Sequence, residues 1–309
     1  MFEEKIDVLE DKILSFSPRV LKVLLEDKTT KRNILWATDD YFNIYGDGFA
    51  KDQEIYEDFI SGLYNMVIQP RIEKEKNKQI NRTKKMAEVF TPAWICNAQN
   101  NLVDSLWFER LNVFNTEHDR SWTTNYKKIK FNKTGKKTWK EYVIAKRLEI
   151  TCGEAPYLVS RYDNSTGEAI ELLNRIGILD RKLRVVNENA KTETEWQEWA
   201  QKAFESTYGY EYQGDNVILA RENLLYTYTD NLRYFLNRDP LENEVLKIAN
   251  IIAWNIWQMD GLSYTPPSFN TETKCNTRKS TSSEKITLCK IKDWRSKKTI
   301  IFKSLIRNS

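Results

Sequence analysis

Between residues 147 and 257, short β-like patches alternate with long stretches at helical spacing, and this alternation limits the fold more than any other feature. Arg147-Leu148-Glu149-Ile150 is short and strand-like. Ala169 to Val186 and Trp196 to Phe204 then carry apolar residues at i, i+3, i+4. Tyr208 to Tyr212 reads as a second strand and Val217 to Phe235 as a long helix. Leu246 to Trp257 is apolar enough for a helix end followed by a buried strand. Strands joined through helices cannot pair as hairpins, so the pattern predicts an α/β protein with a parallel sheet.

Upstream, residues 1–26 predict two helical segments broken at Ser17-Pro18. Ile34-Leu35-Trp36 reads as a strand leading into Asp39-Asp40. Helical spacing returns over residues 52–69 through Ile55, Phe59 and Leu63. The expected organisation is a mostly helical region 1–80, an α/β unit 81–267 with extra helices at 164–206, and a basic linker and tail 268–309. The linker follows from the Ser, Thr and Asn of residues 268–285, directly after Pro266-Pro267.

Composition removes several function classes. The 309 residues are 40% hydrophobic and include ten Trp, enough for a buried core. The longest apolar stretch, Ile248 to Trp257, falls well short of the roughly 20 residues of a membrane span. The charged start, MFEEKIDVLEDK, has no apolar h-region, so a cytoplasmic location with reduced thiols is expected. The single histidine, His118, lies in a polar run and reads as a solvated loop residue, which argues against a multi-histidine metal site or a Ser-His-Asp triad. Cys96, Cys152, Cys275 and Cys289 lack CxxC spacing, so no structural zinc is expected.

Two segments are strongly basic. Residues 71–85 hold seven Lys/Arg and two Glu, and residues 269–309 hold eleven Lys/Arg and three acids, a net +8 in a chain of net +4. Either segment could be a solvated face or a phosphate-contacting surface, since clustered cations release counterions from a nucleic acid backbone.

The chemistry-bearing motifs follow the first basic run. Phe90-Thr91-Pro92 leads into a predicted helix over Ala93 to Asp104. Glu149-Ile150-Thr151-Cys152-Gly153-Glu154-Ala155 has an acid, a strand end and a glycine where the backbone must turn beside a ligand. Glu211 ends the second strand, where an ionised carboxylate can accept two hydroxyl donors. Its helix continues through Ala220-Arg221-Glu222-Asn223, and Asp260-Gly261 follows the third strand.

The stretch from Arg82 to Asp104, with these motifs in this order, resembles the N6-adenine DNA methyltransferases of restriction–modification systems. The resemblance covers roughly residues 80–262. It implies a Rossmann-like, S-adenosylmethionine-dependent methyltransferase sheet with an N-terminal helical extension. It also implies that Phe90, Thr91, Pro92, Glu149, Thr151, Gly153, Glu211 and Asp260 bind that cofactor, with Glu211 on the ribose and Asp260 on the adenine amine. DNA and a restriction or specificity subunit are the implied partners, and no membrane is. The chain departs from the pattern in two places. The loop's second glycine is replaced by Glu154 and Ala155. Ser263-Tyr264-Thr265-Pro266-Pro267-Ser268-Phe269 departs from the (Asp/Asn/Ser)-Pro-Pro-(Tyr/Phe) loop that receives the flipped base, so no catalytic residue is assigned.

Three functions compete on this reading. The first is adenine-N6 methylation of DNA, in which the amine takes the methyl group directly and no nucleophilic cysteine is needed. The second is a catalytically inactive DNA-binding subunit, or a truncated remnant of such an enzyme. The third is a restriction nuclease, for which Glu10-Asp11-Lys12 and Glu26-Asp27-Lys28 match only the bare Glu-x-Lys triplet and lie on predicted helices.

Overall fold

A computed structural model of the chain describes residues 10–74, 79, 82, 91–131, 137–267 and 287–306. Helix α1 (Glu10–Phe16) stops where Ser17 takes extended backbone, and Pro18 opens α2 (Pro18–Leu25). Proline suits a first helical turn, where its missing N–H has no partner to lose. The apolar face of α2, with Val20, Leu21, Leu24 and Leu25, is buried.

The next segment departs from expectation. Residues 34–36 are not a strand; Leu35 makes an isolated antiparallel bridge to Glu54. Ala37, at φ +54, ends the extended run after three residues. Residues 52–69 form 3₁₀ turns at Glu57–Phe59 and Gly62–Tyr64 rather than a helix. Ile55 is drawn into a backbone bond to Ile34, and Gly62 takes φ +60, so helical spacing there is not helical structure. A one-turn helix α3 (Phe42–Tyr45) lies between them.

Helix α4 (Ala93–Phe108) is followed by a hairpin of β1 (Asn115–His118) and β2 (Ser121–Thr124). His118 is exposed at the turn, bonded to Thr123 Oγ1 at 2.7 Å. Short α5 (Trp139–Ile144) leads into the parallel sheet. That sheet has the order β3-β4-β5, with β3 at Arg147–Ile150, β4 at Thr207–Glu211 and β5 at Ile256–Gln258. Between β3 and β4 run α6 (Ile178–Asn189) and α7 (Glu193–Glu205). Helix α6 starts nine residues later than the spacing from Ala169 suggests, because Asp180 caps the N–H groups of Gly177 and Ser160. Helices α8 (Gly214–Leu236) and α9 (Glu242–Asn255) join β4 to β5.

Register fixes which side chains share a face. Leu148 pairs with Tyr208, Ile150 with Tyr210, and Tyr210 with Trp257, so these five lie on one side of the sheet. A second hairpin, β6 (Lys290–Asp293) and β7 (Lys298–Ile301), covers the β4–β5 part of that side through Ile291 and Phe302. It leaves Leu148 43% and Ile150 62% exposed on β3. The opposite side lies against the main core, where Ile13, Leu21 and Leu24 pack in one cluster with Val217, Leu224 and Ile252. Arg221, fully buried, ties this layer together. It donates to the carbonyls of Glu26 and Ala253 at 3.0 Å and of Ile256 at 2.8 Å. Among the described residues no helix is long and apolar enough to cross a membrane.

Candidate functional site

The turn after β3 is built from residues in an unusual conformation. Thr151, Gly153 and Ala155 all take positive φ, at +48, +52 and +66. Left-handed backbone costs a non-glycine residue about 1–2 kcal/mol, so the turn needs external bonds to hold it. Glu154 supplies them. Its carboxylate accepts from Tyr162 Oη at 2.6 Å and Arg71 N–H at 2.5 Å, while Asn223 donates to its carbonyl at 3.2 Å. The absent second glycine is thus replaced by an alanine held left-handed and an acid that anchors the turn.

Glu211 ends β4 beside this turn. Gly153 N–H donates to its Oε2 at 2.9 Å, and the N–H groups of Tyr212 and Gln213 donate to its Oε1 at 2.8 and 3.1 Å. Burial raises its pKa from the usual carboxylate value, and these three N–H donors work against that rise. Glu149, on the same sheet face, is pushed much higher by burial. Cys152 is likewise raised by burial, so it sits in the loop as a neutral thiol.

Turn and strand ends border a cavity of about 670 Å³ at the carboxyl edge of the sheet. This is within the range of roughly 300–1,000 Å³ typical of small-molecule sites. Thr91, Glu149, Thr151, Gly153 and Glu211 all line it. So do Gln213 and Asn216 from the start of α8. Three buried oxygens on these walls, Glu149 Oε2, Gln213 Oε1 and Asn216 Oδ1, have no hydrogen-bond partner in the protein. Buried acceptors are normally satisfied, and these three, almost wholly shielded from solvent, belong to residues that line the cavity.

Other sequence-chosen residues are placed differently. Pro92 precedes α4 and does not line the cavity, and Phe90 lies outside the described residues. Asp260 stands at the carboxyl edge, next to Met259, whose N–H donates to Glu211 O at 2.9 Å. Its carboxylate is nevertheless folded into its own turn, accepting from Leu262 N–H at 2.8 Å, and it does not line the cavity. The Pro266-Pro267 loop is held by Asp260 N–H donating to Thr265 O at 2.9 Å.

The basic run is corrected in part. Lys74 and Arg82 are buried and paired to Asp215 at 2.9 and 3.0 Å, and Arg71 is buried too. Lys74 and Arg82 thus serve a core ion cluster rather than a phosphate backbone, while Arg71 lines the cavity. The rest of the run from Glu75 on, apart from Gln79, lies outside the described residues, as does the 268–285 linker but for its first boundary at Pro267. Among the described residues no group of three His, Cys, Asp or Glu is placed to hold a metal, and the described cysteines are unpaired.

Sequence reading missed Gln213 and Asn216, because polar residues beside a helix start look like ordinary caps. Their only sequence signal is position, immediately after an acid that ends a strand. No family model, curated protein or solved structure matches the chain.

Proposed function

We propose that this cavity binds the nucleoside part of S-adenosylmethionine and that the protein is a DNA adenine-N6 methyltransferase-like component of a restriction–modification system. The observation that carries the reading is the cavity at the carboxyl edge of the parallel sheet, walled by Glu149, the Gly153 turn and Glu211 and by residues that hold three partnerless buried oxygens. Ribose hydroxyls and an ammonium group are donors of the kind these oxygens lack. The location agrees with the general rule that open α/β sheets bind ligands beyond the carboxyl ends of their strands. Three parallel strands in consecutive order are also what one half of a Rossmann-like sheet would contain. When bound, the cofactor would supply a sulfonium methyl group. The chain's own part would be to hold the ribose on Glu211 and Glu149 and to bring main-chain N–H groups near through the turn at Gly153.

A second reading, a DNA-binding subunit without turnover, is favoured by one feature. The ring of Tyr264, the aromatic nearest Pro266-Pro267 among the described residues, lies 6.3 Å from Phe302 and under Lys303 at 5.6 Å. A tyrosine packed this way would have to leave these contacts to stack on a flipped base. Radiolabelled methyl transfer to DNA separates the two readings.

Isothermal calorimetry with S-adenosylmethionine tests the pocket. Glu211→Gln keeps the shape of the side chain while removing its charge. It should weaken binding at least tenfold, with a cooperative melt kept at a lowered temperature because the amide NH2 cannot accept the N–H groups that Glu211 accepts. Equal affinities for both proteins would refute the assignment.

A further inference from the structure

The β6–β7 hairpin and its flanks concentrate positive charge on one short stretch of surface. Residues 287–306 contain six cations, Lys290, Lys292, Arg295, Lys297, Lys298 and Lys303, and one acid, Asp293. Asp293 already pairs with Lys146 at 3.5 Å. No carboxylate among the described residues pairs with any of the six, whereas Lys74 and Arg82 are buried against Asp215. Lys290, Arg295, Lys297, Lys298 and Lys303 are exposed.

The ribbon that carries them is firmly seated. Ile291 and Phe302 are buried against Tyr208, Tyr210 and Trp257, and Trp294 Nε1 donates to Asn255 Oδ1 at 2.8 Å. Lys290 pairs with Ile301 and Lys292 with Thr299, so these four share the outward face. Lysines two residues apart on one strand stand about 7 Å apart, close to the rise of two nucleotides at about 3.4 Å each. Lys292 and Lys31 both lie over Trp254, at 5.8 and 5.2 Å. The ribbon runs from Lys303, beside the loop after β5, to Asp293, which reaches Lys146 before β3. Its Lys303 end is therefore at the same sheet edge as the cavity.

We infer that the outward face of the β6–β7 hairpin grips the phosphate backbone of duplex DNA and delivers the duplex toward the carboxyl edge of the sheet. The choice of DNA rests on the function proposed above, while the surface is read from the hairpin alone. A two-stranded ribbon fits a major groove about 12 Å wide. Ile301 is the one large apolar side chain on the outward strand face, which is too little for bilayer anchoring.

The test is fluorescence anisotropy of the full chain on a short labelled duplex at several salt concentrations. A triple variant, Lys290→Gln, Lys297→Gln and Lys303→Gln, should bind at least tenfold more weakly. The slope of log affinity against log salt should flatten by about 2–3, at roughly 0.9 per phosphate contact. A control triple variant, Lys127→Gln, Lys128→Gln and Lys130→Gln, removes the same charge from another surface and should bind as the parent does. An unchanged slope for the hairpin variant, an equal loss for the control, or binding to phosphatidylserine vesicles but not to DNA would overturn the proposal. Calorimetry with S-adenosylmethionine on the hairpin variant should match the parent. DNA binding that does not depend on the hairpin, with cofactor binding intact, would sink this inference alone, whereas hairpin-dependent DNA binding without cofactor binding would sink the pocket alone.

Discussion

Glu10 and Glu222 show what a single buried side chain can impose. Both are almost fully buried, and none of their four carboxylate oxygens has a hydrogen-bond partner. Burial raises the pKa of Glu222 from 4.5 to about 8, with Arg161 opposing, and burial and then Glu222 itself raise that of Glu10. The folded state therefore holds protons that the unfolded state has released once pH exceeds the ordinary carboxyl value. Stability should be fully present below that value and fall as pH rises toward about 8. Thermal melts between pH 5 and pH 9 should show this decline, and Glu222→Gln should at least halve it while changing little at pH 5. A parent protein with a flat profile would show that the pair is ionised or solvated. None of this was legible beforehand, because Glu222 sits in a stretch whose neighbours suggested a cofactor helix. Glu211 and Gly153 were legible, since an acid ending one strand and a glycine following its neighbour need only correct strand placement to meet.

At the level of elements, the long helices followed from periodicity, because each buries a continuous apolar face, and the short parallel strands followed from their alternation with those helices. The β6–β7 hairpin did not, since its strands are short and lysine-rich, and only Ile291 and Ile300 mark its inward side. The segment at residues 34–36 was misread because its apolar run is only three residues long and its pairing is with residues 53–55 rather than a sheet. Its contact with α8 is nonetheless close. Gly214 N–H donates to Trp36 O at 3.0 Å, and a Cβ added at Gly214 would lie 2.0 Å from Leu35 O. Gly214→Ala should therefore destabilise by about 1–3 kcal/mol or more through overpacking, read from urea midpoints. A loss below half a kcal/mol would mean that the residue 34–36 segment yields freely.

Across the whole molecule, Asp215 joins parts of the chain that lie far apart in sequence. It is fully buried and accepts from Tyr41 Oη at 2.7 Å, Lys74 Nζ at 2.9 Å and Arg82 Nη2 at 3.2 Å. Burial alone would raise its carboxyl, but Arg82 and Lys74 hold it far below the usual carboxylate range. Its contribution is present above the ordinary carboxyl value and lost as pH falls toward the depressed one. Asp215→Asn would leave the buried Lys74 without its carboxylate and Arg82 with Asp40 at 3.0 Å, a change expected to cost about 3–5 kcal/mol. Motif reading could not see this cluster, because a basic run and an aspartate at a helix start carry no mark of their pairing. The separations in sequence, 174 residues to Tyr41, 141 to Lys74 and 133 to Arg82, also bear on when the cluster assembles. Contacts spanning such distances carry a large loop-closure cost and tend to form after more local ones. Stopped-flow kinetics on Asp215→Asn should accordingly show much faster unfolding and a nearly unchanged refolding rate. On that account, the buried carboxylate governs how long the native chain persists more than how quickly it is reached.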